Sequence, residues 1–147
     1  MNRSLVTVGA AVPVDFPRLD ILAVPARIDS GARISAIWAT SITEKNGELS
    51  FVLFAAGSQH HTGTPVTTRE YETRVVTSSN GAAEERYVVR LAVRLMGRTI
   101  HARFSLANRS TQAYPVLIGR NVLRGKFLVD VSHGRRALST VSGKESA

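Results

Sequence analysis

The sequence contains no cysteine, which excludes disulfides, thiol nucleophiles and cysteine-ligated metal centres. It has no apolar run near the about 20 residues that a membrane helix requires, and its N-terminus lacks the long apolar centre of a secretory signal. We therefore expect a cytoplasmic protein without a membrane segment. Aromatic residues make up only 6% of the chain and do not interleave with its arginines, so a base-stacking surface for nucleic acid is not expected.

What the chain does contain is enough apolar residues for one folded domain. It has 147 residues, of which 44% are hydrophobic, so we expect a single globular domain over residues 1–132 and a polar, basic tail over 133–147. The formal net charge is +8, from 19 Lys and Arg against 11 Asp and Glu. This excess has two readings, a solvated surface of Arg-rich composition or attraction to an acidic partner.

The hydrophobic pattern predicts an all-β domain. Apolar and polar residues alternate with period two in several short stretches, which is typical of half-buried strands, and Asn46-Gly47 is a strong hairpin signal. The only convincing helical turn covers Gly119–Arg124. The predicted strands are Val6–Val14, Leu22–Ile28, Ile34–Trp38, Leu49–Ala55, Tyr71–Thr77, Tyr87–Leu95, Thr99–Leu106 and Phe127–Val131.

The two strands on either side of residue 97 carry many cations. A two-residue turn at Gly97-Arg98 would place Arg94 opposite His101. We expect one basic sheet face, which either faces solvent or attracts an acidic ligand. Its members would be Arg90, Arg94, Arg98, His101 and Arg103.

Two short segments carry the chemistry. Ala26–Ala32 places Asp29 on a small-residue loop after an apolar strand, and Tyr114–Asn121 is an apolar strand that ends in Gly-Arg-Asn. An Asp-Ser-Gly turn alone is also common as a purely structural feature. The motif occurs once, because the other aspartates, Asp15, Asp20 and Asp130, lie outside comparable loops.

Together these segments resemble the active-site and second-loop segments of retropepsin-like aspartic proteases. More specifically, the chain resembles a bacterial family of small retropepsin-like proteins often labelled ATP-dependent zinc proteases, over about residues 5–132. The matching segments are Ala26–Ala39, Ser79-Asn80-Gly81 with Arg86, Asn108-Arg109 leading into Tyr114–Leu123, and Phe127–Val131.

The resemblance implies a retropepsin-like acid-protease barrel with one short C-terminal helix, and a homodimer that brings two copies of Asp29 together. The hairpin tip at 78–85 falls where a flap would lie, and 43–74 looks like an inserted hairpin and loop. The implied catalytic residues are Asp29, Ser30 and Gly31; the substrate-binding residues are Ala32, Asn80, Gly81, Tyr114 and Val116; and the structural-loop residues are Gly119 and Arg120.

The chain also departs from the retroviral pattern. Retroviral proteases carry an acidic residue shortly after the Asp loop, which pairs with the Arg of Gly-Arg-Asn, whereas this chain has Arg33-Ile34-Ser35. Arg120 therefore needs another partner or lies exposed. The four histidines form no His-Glu-x-x-His motif and there is no phosphate-binding loop, so we expect neither a metal nor another cofactor.

Two functions follow as expectations. The first is an aspartic-type peptidase or amide hydrolase that acts on a peptide or protein substrate, with acidic peptides among the candidates, through water activated by the Asp29 pair. The alternative is a non-catalytic retropepsin-like binding partner of an ATP-grasp peptide ligase or of an acidic peptide. Nucleic-acid binding through the basic face is a third reading, which we do not favour because aromatic residues are absent from that face.

Overall fold

The computed structural model describes residues 5–77 and 80–132, and the fold is all-β with one short helix. The predicted tail at 133–147 lies outside the described residues, as do Ser78 and Ser79 of the predicted flap. The elements are β1 (Val6–Val8), β2 (Ala11–Phe16), a 3₁₀ turn (Pro17–Leu19), β3 (Ile21–Ile28), β4 (Ser35–Lys45), β5 (Glu48–Leu53), β6 (Val66–Thr68), β7 (Tyr71–Thr77), β8 (Ala83–Leu95), β9 (Arg98–Ala107), β10 (Val116–Ile118), α1 (Arg120–Leu123) and β11 (Phe127–Val129).

The main sheet closes on itself. Its strand order is β10-β3-β2-β8-β9-β4-β5-β6, with β7 added to β8. The short strand β10 also pairs with β4, so the six strands from β10 round to β4 form a barrel. β10 is parallel to β3 and antiparallel to β4, which places it between the two strands that flank the Asp29 loop.

The core fills the barrel with the apolar residues of alternating strand positions. Phe16 of β2 and Phe104 of β9 meet edge to face with ring centroids 5.7 Å apart, a favoured aromatic geometry. The inward positions expected for β8 and β9 are buried from Val89 to Leu95 and from Ile100 to Leu106. Burial of these side chains is the main driving force for the barrel. The largest fully buried side chains are Phe16, Phe51, Phe54, Phe104, Ile37, Leu49, Leu95 and Ile118.

The N-terminal strand differs from the expectation. The single apolar run expected over Val6–Val14 divides at residues 9 and 10 into β1 and β2. β1 leaves the barrel and pairs in parallel with β11, with Val6 opposite Phe127 and Val8 opposite Val129. Long-range pairing with the end of the domain therefore decides where the first strand breaks. The alternation within residues 6–14 carries no signal for that pairing.

The expected register of the β8–β9 hairpin was wrong by one residue on each strand. The turn consists of Met96 and Gly97, both with positive φ, so Leu95 pairs with Arg98 and Arg94 pairs with Thr99. His101 lies opposite Ala92. A paired turn with positive φ at both positions is the usual two-residue hairpin connection, but methionine gives no sequence signal for it.

The corrected register also divides the expected basic face. Arg98 shares its side of the hairpin with buried Leu95, where it lies over the Phe127 ring at 5.6 Å and donates a hydrogen bond to the Lys126 carbonyl. The other members stay on the outer side. There the charges of Arg94 and Arg103 are offset by ion pairs with carboxylates, so the continuous basic surface that we expected does not form.

The end of β4 and the β7–β8 hairpin meet through two tyrosines. β7 pairs with the first half of β8 from Tyr71 opposite Val89 to Thr77 opposite Ala83, so Ala83–Glu85 belong to the strand and not to the hairpin tip. The hydroxyls of Tyr71 and Tyr87 both donate to the carboxylate of Glu44, near the end of β4. None of the helices in the described residues is long and apolar enough to cross a membrane.

Candidate active site

Asp29 lies directly after β3 on a loop that its own backbone and carboxylate hold in shape. Its N–H donates to the Ile118 carbonyl of β10 at 2.9 Å, and its Oδ1 accepts the Gly31 N–H at 2.9 Å. The Asp29 carbonyl accepts the Ala32 N–H at 3.2 Å. A side chain at position 31 would place its Cβ 3.3 Å from Asp29 Oδ1, so glycine leaves the carboxylate room. The carboxylate is half-buried and points from a fixed turn.

The second predicted segment braces this loop from below. The N–H of Arg120 donates to the Ala32 carbonyl at 2.8 Å, and the N–H of Asn121 donates to the Arg33 carbonyl at 3.2 Å. Gly119 lies so close to the loop that an added Cβ would be 2.7 Å from the Ile34 carbonyl oxygen and 2.8 Å from that of Ala32. Because its φ is −100°, glycine is required here for space and not for backbone conformation.

A buried serine connects the two segments. Ser35 is 0% exposed, and its hydroxyl donates to Oδ1 of Asn121 at 2.9 Å and accepts the Gly119 N–H at 3.0 Å. The Asn121 amide in turn donates to the Arg103 carbonyl of β9 at 2.8 Å. Every polar group in this small network is satisfied, which makes it a rigid support. The sequence carried no signal that Ser35 and Asn121 would connect the two segments.

The structure brings part of the expected site together. Asp29, Ser30, Gly31 and Ala32 form one loop, and Arg120 reaches it with a 3.4 Å hydrogen bond from Nη1 to the Ser30 carbonyl. The partner that the sequence left open for Arg120 is therefore a backbone carbonyl.

The other expected site residues lie elsewhere. Val116 is 0% exposed inside the barrel, whereas Leu117 of β10 is half-buried, and a substrate-binding role of Val116 stays a prediction. Tyr114 is half-buried just before that strand, and its carbonyl accepts a 2.8 Å hydrogen bond from Nε of Arg109. Asn80 and Gly81 lie in the hairpin turn between β7 and β8, where the Asn80 side chain accepts the Ala82 N–H at 3.1 Å. Their role at the site stays a prediction.

Arg109 lies near three other charged groups, and one of them is Asp29. The pKa of the Arg109 guanidinium is lowered, first by burial and then by the charges of Arg86 and Arg27, while Asp29 acts in the opposite direction. Arg109 therefore lies within electrostatic range of Arg86, Arg27 and Asp29, which the fold brings near it from other segments. Arg27 lies in β3, two residues before Asp29.

Arg86 is short of partners. One of its terminal nitrogens lies 3.4 Å from a Glu84 carboxylate oxygen, but its buried Nε has no hydrogen-bond partner within the described residues. An unsatisfied buried donor is costly unless a ligand completes it. Next to Asp29, a cavity of about 440 Å³ is lined by Ala10, Arg27, Ile28, Tyr114 and Val131. This cavity offers an apolar wall and one guanidinium to a peptide side chain.

No metal centre is visible in the described part of the chain. Across residues 5–77 and 80–132, no three His, Cys, Asp or Glu side chains come together as a metal site would need. The chemistry that the described side chains offer is therefore that of one fixed carboxylate, several guanidinium groups and backbone amides.

The six-stranded barrel, the Asp29 loop and the Gly119 segment beneath it define a retropepsin-like protein. Residues 8–138 match the RimB-like family, described as "Retropepsin-like aspartic endopeptidase RimB", and the chain belongs to this family. The resemblance seen in the sequence is thereby confirmed.

Curated relatives carry a different name. A protein of Shewanella pealeana, named "Probable alpha-L-glutamate ligase", is 33% identical over 136 residues, which are 90% of this chain and 30% of the relative. A protein of Parasynechococcus marenigrum with the same name is 31% identical over 134 residues, 88% of this chain and 28% of the relative. This chain thus spans less than a third of those proteins.

A solved structure supports the fold. The crystal structure of a protein of unknown function from Legionella pneumophila superposes with a TM-score of 0.66 at 24% sequence identity. The match covers 88% of this chain and 96% of that one. At this level of identity the likeness concerns the fold alone.

Proposed function

We propose that this chain is an aspartic-type peptidase whose active site forms when two copies meet and place their Asp29 carboxylates side by side. The observation that carries the proposal is the fixed Asp29 loop, which is hydrogen-bonded to β10 and braced by Gly119 and Arg120. A single-motif chain needs a second carboxylate, and a two-fold axis supplies it because residues on the axis meet their own copies.

The chemistry of such a pair is acid–base catalysis on water. Two carboxylates this close share one proton, because like charges at short distance cannot both ionise. The ionised Asp29 removes a proton from water as the oxygen attacks the peptide carbonyl carbon. The protonated Asp29 donates its proton to the carbonyl oxygen, which gives a neutral tetrahedral intermediate. The proton taken from water then passes to the amide nitrogen, a hydroxyl of the intermediate returns a proton to the Asp29 pair, and the C–N bond breaks to release the amine and the carboxylic acid. Ser30 and Gly31 hold the loop, and no cofactor is required.

The charges around Asp29 favour an acidic peptide. Arg109 lies within electrostatic range of Asp29, Arg27 and Arg86, and Arg86 has a buried Nε without a hydrogen-bond partner among the described residues. Carboxylates on the substrate would receive charge-assisted hydrogen bonds from these groups. The substrate class that we infer is therefore a peptide with glutamate or aspartate next to the cleaved bond.

The names of the relatives support the same substrate class. In them, a region similar to this chain belongs to a longer polypeptide named as a glutamate ligase. A ligase that adds α-linked glutamate makes a peptide rich in carboxylates, and a peptidase region joined to it would meet that product. The same observation favours the second candidate, in which the chain binds an ATP-grasp ligase or its acidic product without cleaving it.

The deciding experiment compares cleavage of a peptide library that includes glutamate-rich members by wild type and Asp29→Asn across pH ~4 to 8. Asp20→Asn is the matched control, because Asp20 is an exposed aspartate with positive φ that asparagine tolerates equally well. Both variants are compared with wild type at equal dimer fraction. We expect chelator-resistant cleavage that is lost in Asp29→Asn and kept in Asp20→Asn.

The opposite result has a clear meaning. If a dimeric wild-type protein binds the acidic peptides but leaves them intact, the peptidase proposal is wrong and the binding-partner function replaces it. If Asp29→Asn cleaves as fast as wild type, the aspartic mechanism is wrong whatever the substrate. A dimer that forms in Asp29→Asn as in wild type separates loss of chemistry from loss of assembly.

A further inference from the structure

A second charged site lies beneath the Asp29 loop. A cavity of about 380 Å³ is lined by four cationic side chains and one amide, and its lining includes no carboxylate. Its wall is made by the end of the Asp29 loop, by α1 and by the turn that follows α1. The lining residues are Arg33, Arg120, Asn121, Arg124 and Lys126.

The charge of this cavity is not balanced by the protein. Elsewhere in the described chain arginines pair with carboxylates, as Arg94 does with Asp15 at 3.0 Å and Arg103 with Glu72 at 3.2 Å. In residues 5–77 and 80–132, no carboxylate oxygen lies within 4.0 Å of the cationic groups of the four lining residues. Like charges collected around one cavity repel each other, and a bound anion removes that cost.

The backbone that carries these cations is held in place. Arg33 and Arg120 are fixed through hydrogen bonds between the loop and the start of α1, and the Asn121 side chain is held by Ser35 and by the Arg103 carbonyl. In the described part of the chain, the side chains of three lining residues donate no hydrogen bond: Arg33, Arg124 and Lys126. Their donors are available to a ligand, while their positions are set by the fold.

We propose that this cavity is an oxyanion-binding site for a ligand that carries two or more neighbouring negative groups, either carboxylates or phosphates. Guanidinium forks suit both, because they donate two parallel hydrogen bonds to a planar or tetrahedral oxyanion. The ligand has two sources: a free phosphate-type anion, or the acidic side chains of a peptide segment beyond the Asp29 cleft. The site exists whether or not Asp29 is catalytic.

An anion bound in this cavity would alter the contacts of the Asp29 loop. Nη1 of Arg120 donates to the Ser30 carbonyl at 3.4 Å, a long hydrogen bond next to the carboxylate residue. An anion that engages Arg120 from the cavity side competes for the same guanidinium. The cavity therefore couples an anion to the position of Ser30.

Isothermal titration calorimetry tests the site by binding, on Asp29→Asn protein so that no peptide is consumed. One arm titrates inorganic pyrophosphate and the other a short glutamate peptide, both at fixed ionic strength. The test variant adds Arg33→Gln and Lys126→Gln, which remove two cations without a structural hydrogen bond. The matched control adds Arg90→Gln and Lys45→Gln, which remove the same charge from exposed positions on other strands.

Each lost charge-assisted contact weakens binding about tenfold, so the test variant should bind about 30- to 100-fold more weakly and the control within about twofold of the parent. Loss in the pyrophosphate arm identifies a free anion as the ligand. If only the glutamate peptide loses affinity for the test variant, and the number of peptide sites falls from two to one, the ligand is a substrate segment. If neither ligand binds the parent, or if test and control variants weaken equally, the proposal is wrong.

Discussion

The hydroxyl of Ser35 donates a 2.9 Å hydrogen bond to Oδ1 of Asn121, and this contact ties the strand after the Asp29 loop to the short helix below it. The same hydroxyl accepts the Gly119 N–H. Ser35→Ala removes both hydrogen bonds in a fully buried site and leaves two polar groups unsatisfied. We expect it to lower the free energy of unfolding by about 2 to 3 kcal/mol, measured by urea denaturation.

Ser105→Ala is the control for that substitution. Ser105 is also buried, but its hydroxyl makes a single long hydrogen bond of 3.5 Å to the Ser35 carbonyl. Its loss should cost less than about 1 kcal/mol. If the two serine variants lose equal stability, the loss comes from removing a buried hydroxyl, and the hydrogen-bond network of Ser35 adds nothing to stability.

Gly119→Ala should damage the site through crowding. Its Cβ would stand 2.7 Å from the Ile34 carbonyl oxygen, a backbone atom that cannot rotate away, so the loop and β10 must separate. We expect a loss of about 3 kcal/mol or more in unfolding free energy. Gly97→Ala is the comparison, because Gly97 has open space around it and only a positive φ of 78°. It should cost about 1 to 2 kcal/mol. A reversed order would contradict the bracing role of Gly119.

The two hairpin turns offer an exchange of stability. Asn46-Gly47 and Met96-Gly97 have nearly the same backbone, with φ of 53° and 75° in the first and 50° and 78° in the second. Asparagine adopts this conformation at a lower energetic cost than methionine does. We expect Met96→Asn to stabilise the protein by about 1 kcal/mol and Asn46→Met to destabilise it by a similar amount, as measured by thermal unfolding. A neutral Met96→Asn would show that the Met96 side chain makes a compensating contact.

These turns also show what the sequence could and could not give. The Asn46-Gly47 hairpin was predicted because both residue types favour positive φ. The Asp29 and Gly119 segments were predicted because each is a short local sequence pattern. The Met96 turn was displaced by one residue because methionine carries no turn signal. The register of a whole hairpin changed with it, and so did the side of the sheet on which Arg98 lies.

The contacts that support the Asp29 loop could not be predicted from local sequence patterns. Ser35 and Asn121 meet only after β10 inserts between β3 and β4, and the fold brings Arg109 within electrostatic range of Arg86 and Asp29 from a distant segment. Such contacts depend on the closed barrel. A period-two pattern predicts on which side of a strand a side chain lies, but it does not predict which residues that side chain contacts. The burial of Val116 was not predictable for the same reason, since Val116 and Leu117 of β10 are paired on both sides.

The cluster of Tyr71, Tyr87 and Glu44 predicts that the folding stability changes with pH. The hydrogen bond to Glu44 raises the pKa of Tyr71 to about 12, from 10.0. Because the folded pKa lies above the unfolded one, the folded state holds this proton longer. The stability from the cluster is therefore complete below pH 10 and is lost as the pH rises towards 12.

A tyrosinate absorbance titration checks this directly. Of the three tyrosines, Tyr71 should ionise near pH 12 in the wild type, and Glu44→Gln should move that step down towards 10, because it removes the charge and the strong acceptor. Glu48→Gln, at the other side of the same hairpin tip, should leave the titration unchanged. A late step that persists in Glu44→Gln would mean that another group holds the proton.

The unpartnered Nε of Arg86 predicts an effect that depends on the substrate. Arg86→Gln removes a half-buried charge on the strand that continues from the flap hairpin. If Arg86 binds a substrate carboxylate, kcat/KM for a glutamate-containing peptide should fall about tenfold, while that for the glutamine analogue of the same peptide should change little. Arg90→Gln, four residues along β8 and exposed, controls for net charge. Equal losses on both peptides would assign Arg86 to the support of the flap, because a structural defect cannot distinguish a carboxylate from its amide.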